Sequence, residues 1–161
     1  MLFRSQIECL SAGGYTGIGF GLHSEIVSPY LLHYGTEAQK ETYLPRLSSG
    51  EMVGAIAMTE PSAGSDLQGI QTTALLGDDG HYRLRGSKTY ITNGWHADLV
   101  IVVAKTQPQA GAKGTSLFLL EAGTPGFTKG KPLHKLGLKA QDTCELFFDD
   151  VKLSPSQLLG G

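Results

Sequence analysis

The sequence predicts an α+β protein: an antiparallel β-barrel or sandwich preceded by the tail end of a helical domain. Three observations carry this. Apolar residues up to Gly50 recur at three- and four-residue steps, the period drops to two from Glu51 onward, and turn signals then follow at short intervals. The change of period divides the chain into a helical part over residues 1–51 and a β part over residues 52–161.

In the helical part, Ile18, Leu22, Ile26 and Val27 with Tyr30 and Leu31 form an apolar stripe, which Pro29 is expected to break. Thr36-Glu37-Ala38-Gln39 reads as a capping box, the Thr hydroxyl and Gln amide each serving an orphan N–H. Tyr43, Leu44 and Leu47 give the helix behind it an apolar face, and Gly50 ends it. These segments are too few to close a bundle by themselves.

In the β part, candidate strands run over 53–59, 72–76, 82–86, 88–92, 99–106, 116–121 and 143–148. Gly77-Asp78-Asp79-Gly80 is a hairpin turn, and further turns fall at Asn93-Gly94, at 111–114 and at Thr124-Pro125-Gly126. Short strands at such spacing suit an antiparallel barrel or sandwich.

Composition narrows the function. A chain of 161 residues, 40% hydrophobic and 17% charged, suits a soluble globular protein of one domain or one domain with part of another. Its net charge of -2 argues against a nucleic-acid partner, which needs a basic excess. The 22 glycines stand at roughly twice the ~7% average, implying many turns or close backbone contact with a ligand. Cys9 and Cys144 form no CxxC pair and read as free thiols of a reducing compartment. No apolar run approaches the ~18 residues of a membrane span. The segment MLFRSQIECLSAGG has too short an apolar part, and an acid, for a signal or transit peptide. The expectation is a soluble intracellular protein.

Two polar stretches are candidates for chemistry. In AMTEPSAGSD (residues 57–66), Pro61 must end the strand, leaving the N–H groups of Ser62, Ala63, Gly64 and Ser65 free to face a ligand. Ala63 and Gly64 permit close backbone approach, Thr59 and Ser65 offer hydroxyls, and the charge of Glu60 argues against a phosphate beside that side chain. An aromatic heterocycle with a phosphate tail suits this set; a hydrogen-bonded surface loop accounts for it equally well. In GSKTYITNG (residues 86–94), alternation puts Tyr90 and Thr92 on one face, an aromatic plate beside a hydroxyl. A half-buried strand entering an Asn-Gly turn explains that stretch as readily.

Other patterns carry no chemistry. Gly17-Ile18-Gly19-Phe20-Gly21-Leu22 lacks the third glycine and the preceding strand of a dinucleotide fingerprint, and residues 123–131 lack the order of a P-loop. His23, His33, His81, His96 and His134 show no ligand spacing, so each reads as a surface or satisfied histidine and no metal site is expected. Ser5, Ser11 and Ser116 sit in no nucleophile elbow.

Residues 57–66 followed by Gly69 resemble the first signature of the acyl-CoA dehydrogenase family at every constrained position. GSKTYITNG resembles that family's flavin-contacting strand. Residues 133–143 with Glu145-Leu146-Phe147-Phe148 resemble the end of its β domain, in wording nearest its long-chain members. Tyr34-Gly35-Thr36-Glu37 through Tyr43-Leu44-Pro45 resembles the helix entering that domain. The resemblance implies that residues 1–51 are the C-terminal part of the family's N-terminal helical domain and 52–161 its middle, FAD-binding β domain.

By matching position it implies that Ile56, Ala57, Met58, Thr59, Glu60, Pro61, Ser62, Ala63, Gly64 and Ser65 line FAD, with Thr59 near the pyrimidine edge. Ser65 would sit where the diphosphate and the acyl-CoA pantetheine meet. Tyr90, Ile91 and Thr92 would flank the isoalloxazine, the Thr92 hydroxyl near N5; many members carry Trp where this chain has Tyr90. Ala112 and Lys113 align loosely with a CoA-contacting loop.

The implied reaction is α,β-dehydrogenation of a fatty acyl-CoA in β-oxidation, with electrons leaving to an electron-transfer flavoprotein. The implied base is a glutamate on a C-terminal helical domain beyond Gly161; Glu51, Glu60, Glu121 and Glu145 match no catalytic position. The expectation is therefore a fragment that binds FAD weakly and is inactive alone. Its parent would be a homodimer or homotetramer, cytoplasmic if bacterial and in the mitochondrial matrix if eukaryotic. An acyl-CoA oxidase relative and a non-catalytic binding module are the alternatives.

Overall fold

The computed structural model describes residues 8–15 and 17–161. Residues 1–7, with Ser5 and half of the segment read for a targeting signal, lie outside the described residues. A π-helical turn over Leu22–Val27 leads into α1 (Ser28–Tyr34) and α2 (Glu37–Ser49). Seven strands follow: β1 (Gly54–Ala57), β2 (Thr73–Leu76), β3 (Tyr82–Thr92), β4 (Leu99–Lys105), β5 (Thr115–Glu121), β6 (Phe127–Lys129) and β7 (Thr143–Leu153). The α+β expectation holds, the sheet forming a curled half-barrel beside the helices. No helix among the described residues is long and apolar enough to cross a membrane.

Local signals placed the helices well. The Thr36 hydroxyl accepts from the Gln39 N–H at 3.2 Å, and Gln39 Oε1 accepts from the Thr36 N–H at 3.0 Å. Gly50 ends α2 with φ 79°, a left-handed conformation that glycine adopts without steric cost. Pro29 does not break the helix as expected. It occupies the first turn of α1, where a missing N–H costs little, and the wider π turns ahead absorb the change of register: Ser28 N–H bonds five residues back to the His23 carbonyl.

The sheet runs β1-β4-β2-β3-β7-β6, with β5 on the remaining edge of β4. It is not wholly antiparallel: β1 pairs parallel with β4 from Gly54↔Leu99 to Ala57↔Val102, and β2 joins β4 parallel at Thr73↔Lys105. A period of two is the same for either strand direction, so alternation does not reveal this. The expected strands 82–86 and 88–92 form one strand, β3, bent by register shifts at Leu84/Gly86 and Lys88/Ile91. At the first, Gly86 has φ 141°, and a Cβ there would stand 2.8 Å from the Thr72 Cα. β7 continues past residue 148 to Leu153, and β6, at three residues, is too short to show a period.

Strand β4 is buried on both faces and separates two cores. Val100, Val102 and Ala104 point into the concave side with Leu84, Phe118, Leu120, Leu146 and Leu153. Leu99 and Ile101 point outward against Val27, Leu31, Leu47 and Met52 from the helical part. Burying such a side chain contributes about 1.5–3 kcal/mol, so these clusters dominate stability. The helices approach closely because β1 begins with glycine: a Cβ at Gly54 would lie 2.7 Å from Val27 Cγ1.

Polar contacts finish the junction. His23 Nε2 bonds the Leu47 carbonyl and its Nδ1 accepts from the Gly54 N–H, both at 3.0 Å, so this histidine is satisfied structurally. Tyr43 donates to Glu121 at 2.9 Å, and burial together with that carboxylate pushes its phenol up to about 12. Gln39, besides capping α2, donates to the carbonyls of Ser156 and Leu158 and so fastens the chain's last turn to the helix. Cys9 is exposed and free; Cys144 is buried and free, its thiol pushed up to about 11 by burial.

Candidate functional site

The topology opens the sheet at one place. Since β5 occupies one whole edge of β4, β1 and β2 share the other, β1 leaving at Val102 and β2 arriving at Lys105. The segment 58–72, which contains most of AMTEPSAGSD, connects them across this gap.

The assigned residues begin inside the fold and move outward. Ile56 belongs to the outer core and Ala57 to the inner one, alternating as a buried strand must. Met58 and Thr59 are half-buried, and Thr59 accepts from the Thr89 N–H at 2.9 Å, which extends the pairing of the loop with β3. Pro61 and Ser62 form the exposed tip of a tight turn closed by two reciprocal bonds, Glu60 N–H to the Ala63 carbonyl at 2.9 Å and Ala63 N–H to the Glu60 carbonyl at 3.1 Å.

This corrects one expectation. The Ala63 N–H is spent inside the turn, and Ala63 is buried. The strand already ends at Ala57, ahead of Pro61, and the chain then closes on itself instead of leaving every following amide free. Among the described residues, the amides of Ser62, Gly64 and Ser65 have no protein acceptor, and all three residues are exposed. A Cβ built at Gly64 would meet nothing within 4 Å, and its φ lies outside the left-handed region. Nothing in the protein's own packing therefore requires glycine there; a ligand pressed against the backbone would.

Glu60 faces inward. Its carboxylate is buried and accepts from Lys88 Nζ at 2.8 Å, from the Gln71 N–H at 2.5 Å and from the Thr72 N–H at 3.0 Å. Burial alone would raise the Glu60 carboxyl, but Lys88, Thr72 and the two amides hold it below the usual range. Burial likewise drives the Lys88 ammonium below its ordinary value against the attraction of Glu60. Lys88 escaped the sequence reading, though a signal was there: counting by twos from the inward Leu84 through Gly86 brings a lysine to an inward position, where a charge needs a partner.

The second stretch lies against the first, through Thr89–Thr59 and through Lys88 Nζ to the Met58 carbonyl at 2.9 Å. Tyr90 has φ 56° and is 68% exposed, Ile91 is buried, and Thr92 is half-buried opposite Thr143. Tyr90 and Thr92 both lie on the less buried side, with the bulge at Lys88/Ile91 swinging Tyr90 outward.

Ala112 and Lys113 sit apart, exposed in a 3-10 turn over Pro108–Gly114 beside β5. Among the described residues no hydrogen bond or ion pair ties them to either stretch. A separate cavity of about 930 Å³ lies between the π turn, the end of α2 and residues 140–142; its lining includes Asn93 but none of the assigned site residues.

The arrangement combines unpaired amides, hydroxyls and open space above a glycine with an exposed aromatic ring. It can seat a flat heterocycle with an anionic tail, and its one nearby buried carboxylate is already committed. The family described as "Acyl-CoA dehydrogenase, middle domain" matches residues 55–151, and "Acyl-CoA dehydrogenase, N-terminal domain" matches residues 6–51. The mitochondrial long-chain specific acyl-CoA dehydrogenase of Rattus norvegicus is 60% identical over 148 residues, 90% of this chain and 34% of that protein. The chain thus spans about a third of the length of the curated relatives it matches. An acyl-CoA dehydrogenase from Geobacillus kaustophilus superposes with TM-score 0.84 at 55% identity, over 89% of this chain and 38% of the other. Butyryl-CoA dehydrogenase from Megasphaera elsdenii superposes with TM-score 0.88 at 44% identity, over 91% of this chain and 39% of the other. Matched in both its helical and its β part, and more than half identical to several members, this chain belongs to the acyl-CoA dehydrogenase family.

Proposed function

We propose that these 161 residues form the FAD-facing part of an enzyme that dehydrogenates fatty acyl-CoA, long-chain substrates being the nearest fit by similarity. The observation that carries this is the outward face of the 57–66 loop, three unpaired amides around a glycine with open space above it. FAD, when bound, supplies the acceptor for the substrate's β-hydride. The chain's own part is to bind and orient. The amides of Ser62, Gly64 and Ser65 and the Ser65 hydroxyl donate to anionic or carbonyl oxygens, Thr59 and Thr92 offer hydroxyls to the ring edge, and the Tyr90 ring shields the ring face.

The α-proton needs a base. Glu60 is held by Lys88 and two backbone amides, and by the family resemblance we assign the base to a residue outside these 161. Ala112 and Lys113 remain proposed contacts for the CoA moiety. The division at 51/52, an electron-transfer flavoprotein as acceptor, assembly as a homodimer or homotetramer, and a matrix or cytoplasmic setting belong to the same proposal.

The test is a FAD titration of the chain and of Gly64→Val. The new side chain points into open space, so thermal stability should change by no more than about 0.5 kcal/mol. FAD affinity should nonetheless fall at least tenfold, roughly 1.4 kcal/mol. Equal affinity in the two proteins would refute the proposal. The FAD-loaded 161-residue chain should also reduce no dye with palmitoyl-CoA.

A further inference from the structure

The loop that bears the unpaired amides is exposed at its tip and takes no hydrogen bonds there from the rest of the protein beyond its own turn. Whatever fixes its angle must act from underneath. Beneath it lie two ionised side chains, Lys88 at 0% and Glu60 at 3% side-chain exposure, with 2.8 Å between Nζ and Oε1. Their bonds join β3 to both ends of the 58–72 segment. Lys88, two residues before Tyr90, holds the start of the loop through the Met58 carbonyl and Glu60. Glu60 in turn holds the end of the loop through the N–H groups of Gln71 and Thr72. The same bonds therefore close the loop on itself and lock it to β3.

From this we infer that the Lys88–Glu60 pair is a positioning device, setting the angle between the 57–66 loop and Tyr90–Thr92 so that both meet one flat ligand. The inference rests on the flavin reading for the identity of that ligand. Neither group is a catalytic residue: both are sealed from solvent, and each is satisfied by the other and by backbone. Stability alone does not explain an ion pair here, because an apolar pair of similar volume is often equally or more stabilising. An apolar pair, however, would fix no direction. Two charges bonded to each other, one of them standing on β3, with three further directed hydrogen bonds to backbone groups at both ends of the 58–72 segment do.

The test uses the whole 161-residue chain, Lys88→Met, the neutral double variant Lys88→Met/Glu60→Gln, and Leu153→Ala as a control from the inner core away from the loop. Hydrogen exchange and FAD titration are measured well below each protein's melting temperature. In Lys88→Met, or in the double variant if the single one does not fold, exchange over residues 58–72 and 89–93 should rise at least tenfold while β4 and β5 stay unchanged. FAD affinity should fall at least tenfold with it. Leu153→Ala should lower the melting temperature without either change. Loop exchange within twofold of the unaltered chain, or no greater than in Leu153→Ala, would overturn the inference. So would a double variant that fails to fold, since the pair would then determine the fold and not the loop's angle. Failure of the unaltered chain to bind FAD would instead sink the flavin reading, with the exchange data still deciding the role of the pair.

Discussion

Glu60→Ala should cost about 3–5 kcal/mol of folding free energy, seen as a lower urea midpoint at unchanged slope. The cause is the residue left behind. Lys88 has 0% side-chain exposure, and without Glu60 its ammonium keeps only the Met58 carbonyl at 2.9 Å. The Gln71 and Thr72 amides lose their acceptor in the same substitution. Adding Lys88→Met removes the stranded charge and should recover part of the loss. The effect depends on pH in a definite direction. The Glu60 carboxyl lies below its usual range in the folded protein, so its contribution is complete above the ordinary carboxylate value of about 4.3. It is lost as pH falls through the folded value, and the unaltered chain should approach Glu60→Ala in stability there.

Phe118→Ala should be comparably severe, about 3–5 kcal/mol, for an unrelated reason. Phe118 is fully buried on β5 in the inner core, opposite Val102, with the Tyr82 ring edge-on at 5.0 Å between centroids. Removing the ring opens a cavity in the middle of a curled sheet, whose strands cannot close inward without giving up their hydrogen bonds. Leu76→Ala, at a side chain 61% exposed, should change stability by no more than about 0.5 kcal/mol in the same urea measurement.

The features legible in the sequence were those encoded locally. The capping box at Thr36 and Gln39 and the glycine stop at Gly50 each depend on a few neighbouring residues, and both stand where expected. The Gly77–Gly80 signal also held, with the hairpin closing one residue later through Gly77 N–H to the His81 carbonyl. Strand direction was not legible, because Gly54–Ala57 alternates identically beside a parallel or an antiparallel neighbour. Nor was the continuity of β3, since Gly86 reads as a break until Thr72 is seen packed against it.

The site was half legible. Its small residues and hydroxyls suggested a ligand, but chemistry alone left a surface turn equally open, and the family resemblance made the difference. What stayed hidden was the underside. That the Ala63 amide closes a turn, and that Glu60 and Lys88 meet 28 positions apart in sequence, are consequences of tertiary structure.

The most direct measurement is an amide-resolved NMR titration of the 15N-labelled chain with FAD. The account predicts that the largest shifts fall on Thr59, Ser62, Gly64 and Ser65 and on Tyr90 to Thr92. Shifts confined to the cavity beside His23 and Asp142, with the 57–66 loop unmoved, would contradict it.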